Sequence, residues 1–173
     1  MIFQVKKLFL NLLLLLTIVF LSGCFQTADK LYKEGKALIN KPETQSKGLE
    51  KLILFEKRFS GDLRAPEVVL AIAGIQLQQK NYSDAIGTFE RLFKNYPVSP
   101  EAQKGMFLLG YAYYDQIGDK QKAKETLEEF LRKYPDSELA ASAKTILDNL
   151  YIPIDQWPVM KQIEKNPDNK DIK

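Results

Sequence analysis

The sequence has no histidine, and it has only one cysteine and one tryptophan among its 173 residues. The absence of histidine removes the commonest general base and the commonest transition-metal ligand. A single cysteine excludes an internal disulfide framework. The nine glycines are scattered and do not form the glycine-rich loop that holds a phosphate group. We therefore expect a binding or scaffold protein, not an enzyme, and predict no cofactor and no metal site.

A large excess of either charge is also missing. The chain carries 25 basic and 22 acidic residues, for a net charge of +3. Nucleic-acid binding calls for a clustered basic face, whereas here lysine and glutamate alternate as they do on solvated helix faces. Adjacent carboxylates such as Glu128 and Glu129 diverge on a helix, so we expect them to face solvent. The sequence predicts no nucleic-acid partner.

The one long apolar run lies at the start of the chain. Residues 8–21 follow Lys6 and Lys7 directly and are almost wholly apolar. The run is shorter than the roughly 20 residues that a membrane-spanning helix requires. Its order of basic, apolar and small residues is typical of a secretory signal peptide. We assign residues 1–23 to such a signal.

The end of this segment, Leu21-Ser22-Gly23-Cys24, resembles the lipobox of bacterial lipoproteins. The resemblance implies cleavage before Cys24 and acylation of both its thiol and the new amine. Two or more acyl chains hold a protein firmly on a membrane. Phe25, in place of an aspartate, resembles the sorting pattern of outer-membrane members, so we expect a lipid-anchored, periplasm-facing protein of the outer membrane. The alternative is a short N-terminal anchor helix with a buried cysteine.

The rest of the chain contains an internal repeat. Residues 81–97 align with residues 119–135, which pairs Ala85 with Ala123 and Pro97 with Pro135. A fainter copy lies upstream, around Gly48. Self-similarity at a period of this length is typical of a solenoid built from one repeated supersecondary unit.

Each repeat predicts two helices. Pro66 and Pro100 stand where prolines open helices, and Ser99 is suited to cap the second of these. The second helix of each repeat should end just before Pro97 or Pro135, because the residue before proline disfavours the α region. Small residues stand where paired helices must approach closely, at Ala73, Ala85, Gly110 and Ala123.

These positions resemble the tetratricopeptide repeat (TPR) signature over about residues 28–150. The resemblance implies an all-α, TPR-type solenoid of about three helical hairpins, the first of them weak in sequence, with residues 24–27 as linker. Ser137–Leu150 resembles the first helix of a fourth unit and is expected to cap the stack. Units one and three carry one extra residue between their helices, which leaves the form of that turn open.

Residues 151–173 predict an extended, partly disordered tail that contains three prolines and scattered charges. Trp157 is its only large apolar anchor. In one interpretation Ile152, Ile154 and Trp157 fold back on the capping helix. In the other the tail is a docking peptide for a partner.

In TPR proteins the first helices line a concave surface at regularly spaced positions. Carried onto this chain, these positions give a partner-binding groove whose chief residues are Tyr32, Lys36, Leu70, Lys104, Phe107, Tyr111 and Tyr114. Rigid aromatic side chains in a groove suit an extended or helical peptide, and the two lysines suit a carboxylate. The alternative is that two of the three aromatics of the third unit pack between repeats.

The Tyr-Pro-x-Ser-x-x-Ala segments at residues 96–102 and 134–140 resemble those of the BamD-like lipoproteins of the β-barrel assembly machine. The resemblance implies a scaffold that contacts the barrel insertase and incoming barrel substrates, although that family usually has more repeats. Two alternatives stay open: a periplasmic coordinator of the Tol-Pal system, and a generic lipoprotein adaptor for peptidoglycan or secretion machinery. Cys24 and the lack of heptads argue against the Tol-Pal alternative.

Overall fold

The computed structural model describes residues 27–153 together with Gln156 and Pro158. The chain divides into two compact units, Met1–Asp62 and Leu63–Lys173. The signal peptide assigned to residues 1–23, the lipidation site at Cys24 and most of the tail lie outside the described residues. Within the described ranges helices joined by short turns are the regular secondary structure, and there is no strand.

The first unit contains one helical hairpin. Helix α1 spans Ala28–Ile39 and helix α2 spans Gln45–Arg58, with a short 3₁₀ turn at Pro42–Thr44 between them. A Cβ atom on Gly35 would lie 2.6 Å from Leu52 Cδ2, so the two helices touch where a side chain would separate them. The repeat that is faintest in sequence therefore still folds as a hairpin.

The second unit contains two further hairpins and a last helix. Its helices are α3 (Ala65–Gln78), α4 (Tyr82–Asn95), α5 (Pro100–Ala112), α6 (Lys120–Lys133) and α7 (Ala140–Asp148). Helix α3 pairs with α4 and α5 pairs with α6, while α5 also packs on both α3 and α4. Helix α7 packs on α6 and closes this stack. The arrangement confirms the all-α fold of TPR-type hairpins.

The helix ends lie where the prolines predict them. Pro66 and Pro100 both stand in the first turn of their helices. The Ser99 hydroxyl accepts a hydrogen bond from the Ala102 amide at 3.0 Å, which satisfies one of the unpaired donors at the start of α5. Helices α4 and α6 each end two residues before the proline that follows them.

The core of the second unit is apolar and tightly packed. The small residues expected at the helix contacts are buried, and Ala73, Ala85 and Ala123 are fully inaccessible. A Cβ atom on Gly110 would lie 2.7 Å from Leu127 on the facing helix. The larger side chains between the helices include Val69, Phe89, Leu92, Leu109, Leu127 and Phe130.

The extra residue of the third repeat lies in a π-helical turn. This turn, Tyr113–Ile117, directly continues α5 and ends at Gly118, whose φ is +78°. π-helical structure occurs mostly as such single turns within or next to α-helices, and a wider turn accommodates one extra residue. The first repeat also has one extra residue between its helices, and in the structure a 3₁₀ turn at Pro42–Thr44 lies in that connection.

The capping helix is shorter than the sequence indicates. It was expected over Ser137–Leu150 but runs from Ala140 to Asp148. The Ser137 hydroxyl accepts a hydrogen bond from the Leu139 amide, a local bond that competes with helix formation. Leu150 lies in the turn after the helix, yet it is only 1% exposed and still belongs to the core.

Candidate binding groove

A largely apolar groove of about 500 Å³ lies between α5 and α7. Helix α5 contributes Phe107, Leu108 and Tyr111 to its walls, and helix α7 contributes Ala141, Ser142, Thr145 and Ile146. The Gln103 side chain donates a hydrogen bond to the Ser137 hydroxyl, which ties the start of α5 to the segment that leads into α7. The two walls are therefore held together at one end by a polar contact and beneath by the core.

The aromatic residues of the groove differ in how deeply they lie. Phe107 is half-buried, and its ring centroid is 5.8 Å from that of Phe130 in the core. Tyr111, one helical turn further along α5, is 39% exposed. Ile146 faces it from α7 and is only 6% exposed. Phe107 and Ile146 thus form the more buried part of the groove, and Tyr111 its accessible rim.

The Tyr111 phenol at the rim is uncharged at neutral pH and lies beside the carboxylate of Asp115. Burial raises the pKa of the Tyr111 hydroxyl, and the negative charge of Asp115 and its hydrogen bond to the phenol raise it further. The phenol therefore stays protonated well above neutral pH. The groove presents apolar surface with hydroxyl groups from Tyr111, Ser142 and Thr145, and it suits an uncharged, partly aromatic side chain.

Other residues predicted for the groove lie elsewhere in the second unit. Tyr114 is half-buried against the core in the π-helical turn, and burial, followed by the charge of Asp115, raises its pKa. Lys104 lines a separate cleft of about 520 Å³ together with Asp136 and Glu138. Leu70 is half-buried on α3 and packs against the core.

Tyr32 and Lys36 belong to α1 in the first unit. Both are half-buried, and the Tyr32 ring centroid lies 6.0 Å from that of Phe55 in its own hairpin. Of the seven predicted residues, Phe107 and Tyr111 are the two that line the groove between α5 and α7. The assignment of any of the seven to a partner stays a prediction.

The sequence analysis missed the α7 wall of the groove. Ser142 and Thr145 stand 38 residues after Lys104 and Phe107, which is the same spacing that relates the two strong repeats. Extension of the ligand-facing positions into the capping helix would therefore have found both. The repeat spacing thus predicts these two residues, whereas the apolar pattern of α7 indicates only a capping helix.

Residues 27–153 contain no cluster of three or more potential ligands of the His, Cys, Asp and Glu types arranged to hold a metal ion. None of the helices in that range combines the length and apolarity needed to cross a bilayer.

Comparison with known proteins identifies a family and a relative. A family model named YfiO and described as an outer membrane lipoprotein matches residues 26–152. The outer membrane protein assembly factor BamD of Caulobacter vibrioides is 31% identical over 74 residues. That alignment covers 39% of this chain and 24% of the relative, so the chain matches about a quarter of the relative's length.

Proposed function

Because the chain belongs to the YfiO family of outer membrane lipoproteins, we propose that it is a lipid-anchored scaffold in the assembly of β-barrel outer membrane proteins. The observation that carries the proposal is the extent of the match, since residues 26–152 include every helix from α1 to α7. The name of the Caulobacter relative, which assigns outer membrane protein assembly to that protein, supports the specific process. No catalytic step is part of the proposal.

The anchor is Cys24, in the position that the lipobox resemblance implies. Only residues 25–27 separate this cysteine from the start of α1 at Ala28. An extended chain covers at most about 3.6 Å per residue, so four steps span no more than roughly 14 Å. A lipid on Cys24 keeps the start of α1 within that distance of the membrane surface, which suits a scaffold that acts where barrels are inserted.

The groove between α5 and α7 is the proposed partner contact. Its walls are apolar and uncharged at neutral pH, and Tyr111 supplies a rigid aromatic rim. Rigid aromatics add contact area at low entropic cost, and such residues are enriched among those that dominate binding energy. We expect the partner to be a protein such as the barrel insertase. A segment of it that carries an apolar side chain fits this surface better than a charged ligand does.

The test is affinity purification of the detergent-extracted, full-length protein, with quantification of the proteins that accompany it. The barrel insertase should be enriched with the wild-type protein and depleted severalfold by Ser142→Lys, which places a charge in the groove. Ser83→Lys adds the same charge at an exposed serine on α4 and should behave as wild type. Circular dichroism verifies that both variants keep their helices.

A different set of co-purifying proteins would change the proposed function. Enrichment of cell-division, peptidoglycan or secretion proteins without the insertase would replace barrel assembly by one of the alternative scaffold roles. Insertase capture that is equal in both lysine variants would keep the assembly role and remove the groove from it. A Cys24→Ala variant tests the anchor separately, since it should leave the membrane fraction.

A further inference from the structure

Two apolar side chains of the second unit extend almost completely into solvent. Leu63 is 99% exposed and Val98 is 96% exposed, more than the other large apolar residues that the structure describes. Single exposed apolar residues are normal on a protein surface and need no explanation. These two, however, occupy equivalent positions, because each stands two residues before the first helix of a hairpin, Leu63 before α3 and Val98 before α5.

Both residues lie at the same edge of the second unit. Helices α3 and α5 pack against each other and are joined through α4, which runs in the opposite direction. The starts of α3 and α5 therefore lie side by side, at what we call the connection edge. The turns inside the hairpins, which contain Lys80 and Gly118, lie at the opposite edge.

In the first unit the start of α1 lies beside the end of α2. The two helices are antiparallel, since the ring centroid of Tyr32 near the start of α1 is 6.0 Å from that of Phe55 near the end of α2. Phe59 directly follows α2, and its ring centroid is 5.7 Å from that of Phe55. Cys24 stands four residues before α1 begins. A lipid on Cys24 therefore holds the end of this hairpin that contains Phe59 near the bilayer.

Leu63 follows Phe59 closely along the chain. Residues 60–62 separate the two, and four extended steps span at most roughly 14 Å. The same limit applies to the four steps from Cys24 to Ala28. The covalent chain therefore allows Leu63 to touch the surface in which the lipid on Cys24 is embedded.

Basic side chains accompany the two apolar ones. The last turn of α2 carries Lys57 and Arg58, and the last turn of α4 carries Lys94, four residues before Val98. All three basic residues are exposed, and lysine and arginine beside a membrane are attracted to anionic lipid headgroups. The connection between α6 and α7 differs, since an exposed acidic residue, Asp136, stands there in the place of Val98. The pattern that suits a lipid surface is therefore confined to the first two connections.

We propose that Leu63 and Val98 insert into the headgroup region of the membrane that holds the lipid on Cys24. Binding at such an interface grows with the apolar area that is buried and with attraction to anionic lipids. The second unit is then held on the bilayer by its connection edge, and its opposite edge faces away from the membrane. This contact rests on the lipid anchor of the proposed function and is independent of which partner the scaffold binds.

The test uses the full-length, lipidated protein in vesicles of phosphatidylethanolamine and phosphatidylglycerol. Because Cys24 is the only cysteine and the lipid blocks its thiol, an introduced cysteine alone takes up an environment-sensitive NBD dye. At Leu63→Cys and Val98→Cys the NBD emission should be blue-shifted, and lipids with a doxyl group near the headgroup should quench it severalfold more than at Ser83→Cys. Ser83 is exposed and lies near the opposite edge, so it controls for the affinity of the dye itself for lipid.

A second set of variants keeps the dye away from the two apolar residues. With NBD on Asn95→Cys, an exposed position at the end of α4, doxyl lipids should quench the emission in the otherwise wild-type chain. The pair Leu63→Asp and Val98→Asp should reduce this quenching severalfold. The pair Asn81→Asp and Ser83→Asp adds the same two charges at exposed positions near the opposite edge and should leave the quenching unchanged.

Equal doxyl quenching at Leu63, Val98 and Ser83 would overturn the membrane contact. So would a blue shift without doxyl quenching, since the two residues then contact a second copy of the chain, and so would Asn95 quenching that ignores the aspartates at the connection edge. Mass spectrometry of Cys24 separates the two proposals. An unmodified thiol removes the anchor and this contact together, whereas an acylated Cys24 with unquenched dyes removes the contact and leaves the anchored scaffold standing.

Discussion

The hydroxyl oxygen of Thr88 lies 2.7 Å from the side-chain oxygen of Gln76 and joins α4 to α3 inside one hairpin. Thr88 is completely buried, and its hydroxyl also accepts a hydrogen bond from Arg91 and lies 2.9 Å from the Asp84 carbonyl. Gln76 stands where the next repeat has Tyr113. The hairpin thus has a half-buried hydrogen bond at the position where the next repeat has an aromatic ring.

We expect Thr88→Val to lower the free energy of unfolding by about 0.5–1.5 kcal/mol, because it removes the hydrogen bond between the buried Thr88 hydroxyl and the half-buried Gln76 side chain. The double variant Thr88→Val, Gln76→Leu should recover part of this loss, since both polar partners are then gone. Urea unfolding measures both. Thr145→Val, at an exposed threonine on α7, is the matched control and should change stability by no more than about 0.5 kcal/mol.

The hairpin architecture was predictable because it depends on local signals that repeat. Proline at Pro97 and Pro135 ends a helix by backbone sterics alone, and small residues such as Ala85 and Gly110 mark close helix contacts wherever they recur. The form of the inserted turn was not predictable. A one-residue insertion fits either a longer loop or a π-helical turn, and the choice depends on how Tyr113 packs against α6.

The groove was predictable only in part. Phe107 and Tyr111 followed from their positions in the repeat, but Tyr114 lies in the π-helical turn and so no longer shares their helical face. Lys104 faces a different cleft because that cleft is completed by the segment Asp136–Leu139, whose early turn shortens α7. Tertiary packing, not helical spacing, decides these two cases.

Gly110 should not tolerate a side chain. A Cβ atom there meets Cγ and Cδ2 of Leu127 at 2.7 Å, so Gly110→Ala forces α5 away from α6. We expect a loss of about 1–3 kcal/mol in the free energy of unfolding, as for other overpacked cores. Gly74→Ala is the control, because that Cβ meets nothing within 4 Å and should stabilise α3 by about 0.5–1 kcal/mol. Equal effects of the two substitutions would contradict the close contact.

The turns inside the two hairpins of the second unit each contain a residue with a positive φ, and substitutions at these two residues should have opposite effects on stability. Lys80 adopts a φ of +60° in the first, and Gly118 adopts a φ of +78° in the second. A left-handed conformation costs a residue with a side chain roughly 1–2 kcal/mol. Lys80→Gly should therefore raise the thermal midpoint and Gly118→Lys should lower it. Changes of the same sign in calorimetry would show that side-chain contacts outweigh the backbone at these turns.

The stability of the second unit should fall in alkaline solution because of its buried phenols. Burial is the main cause that raises the pKa of Tyr113, and the negative charges of Glu90 and Asp119 raise it further. Between the ordinary tyrosine pKa of about 10 and the higher value in the folded protein, the folded state binds more protons than the unfolded state. The contribution of Tyr113 to the free energy of unfolding is therefore fully present below about pH 10. It is lost as the pH rises through the pKa of Tyr113 in the folded protein.

Tyr113→Phe tests this dependence, since it removes the titrating hydroxyl and keeps the ring. Urea unfolding from about pH 8 to about pH 11 should show a shallower alkaline decline in the variant, by at most about 1.4 kcal/mol per pH unit, the limit for one proton. The Tyr111 and Tyr114 hydroxyls, whose pKa values are also raised, should maintain a residual decline. If the variant and the wild type lose stability in parallel, Tyr113 is not the source of the alkaline decline.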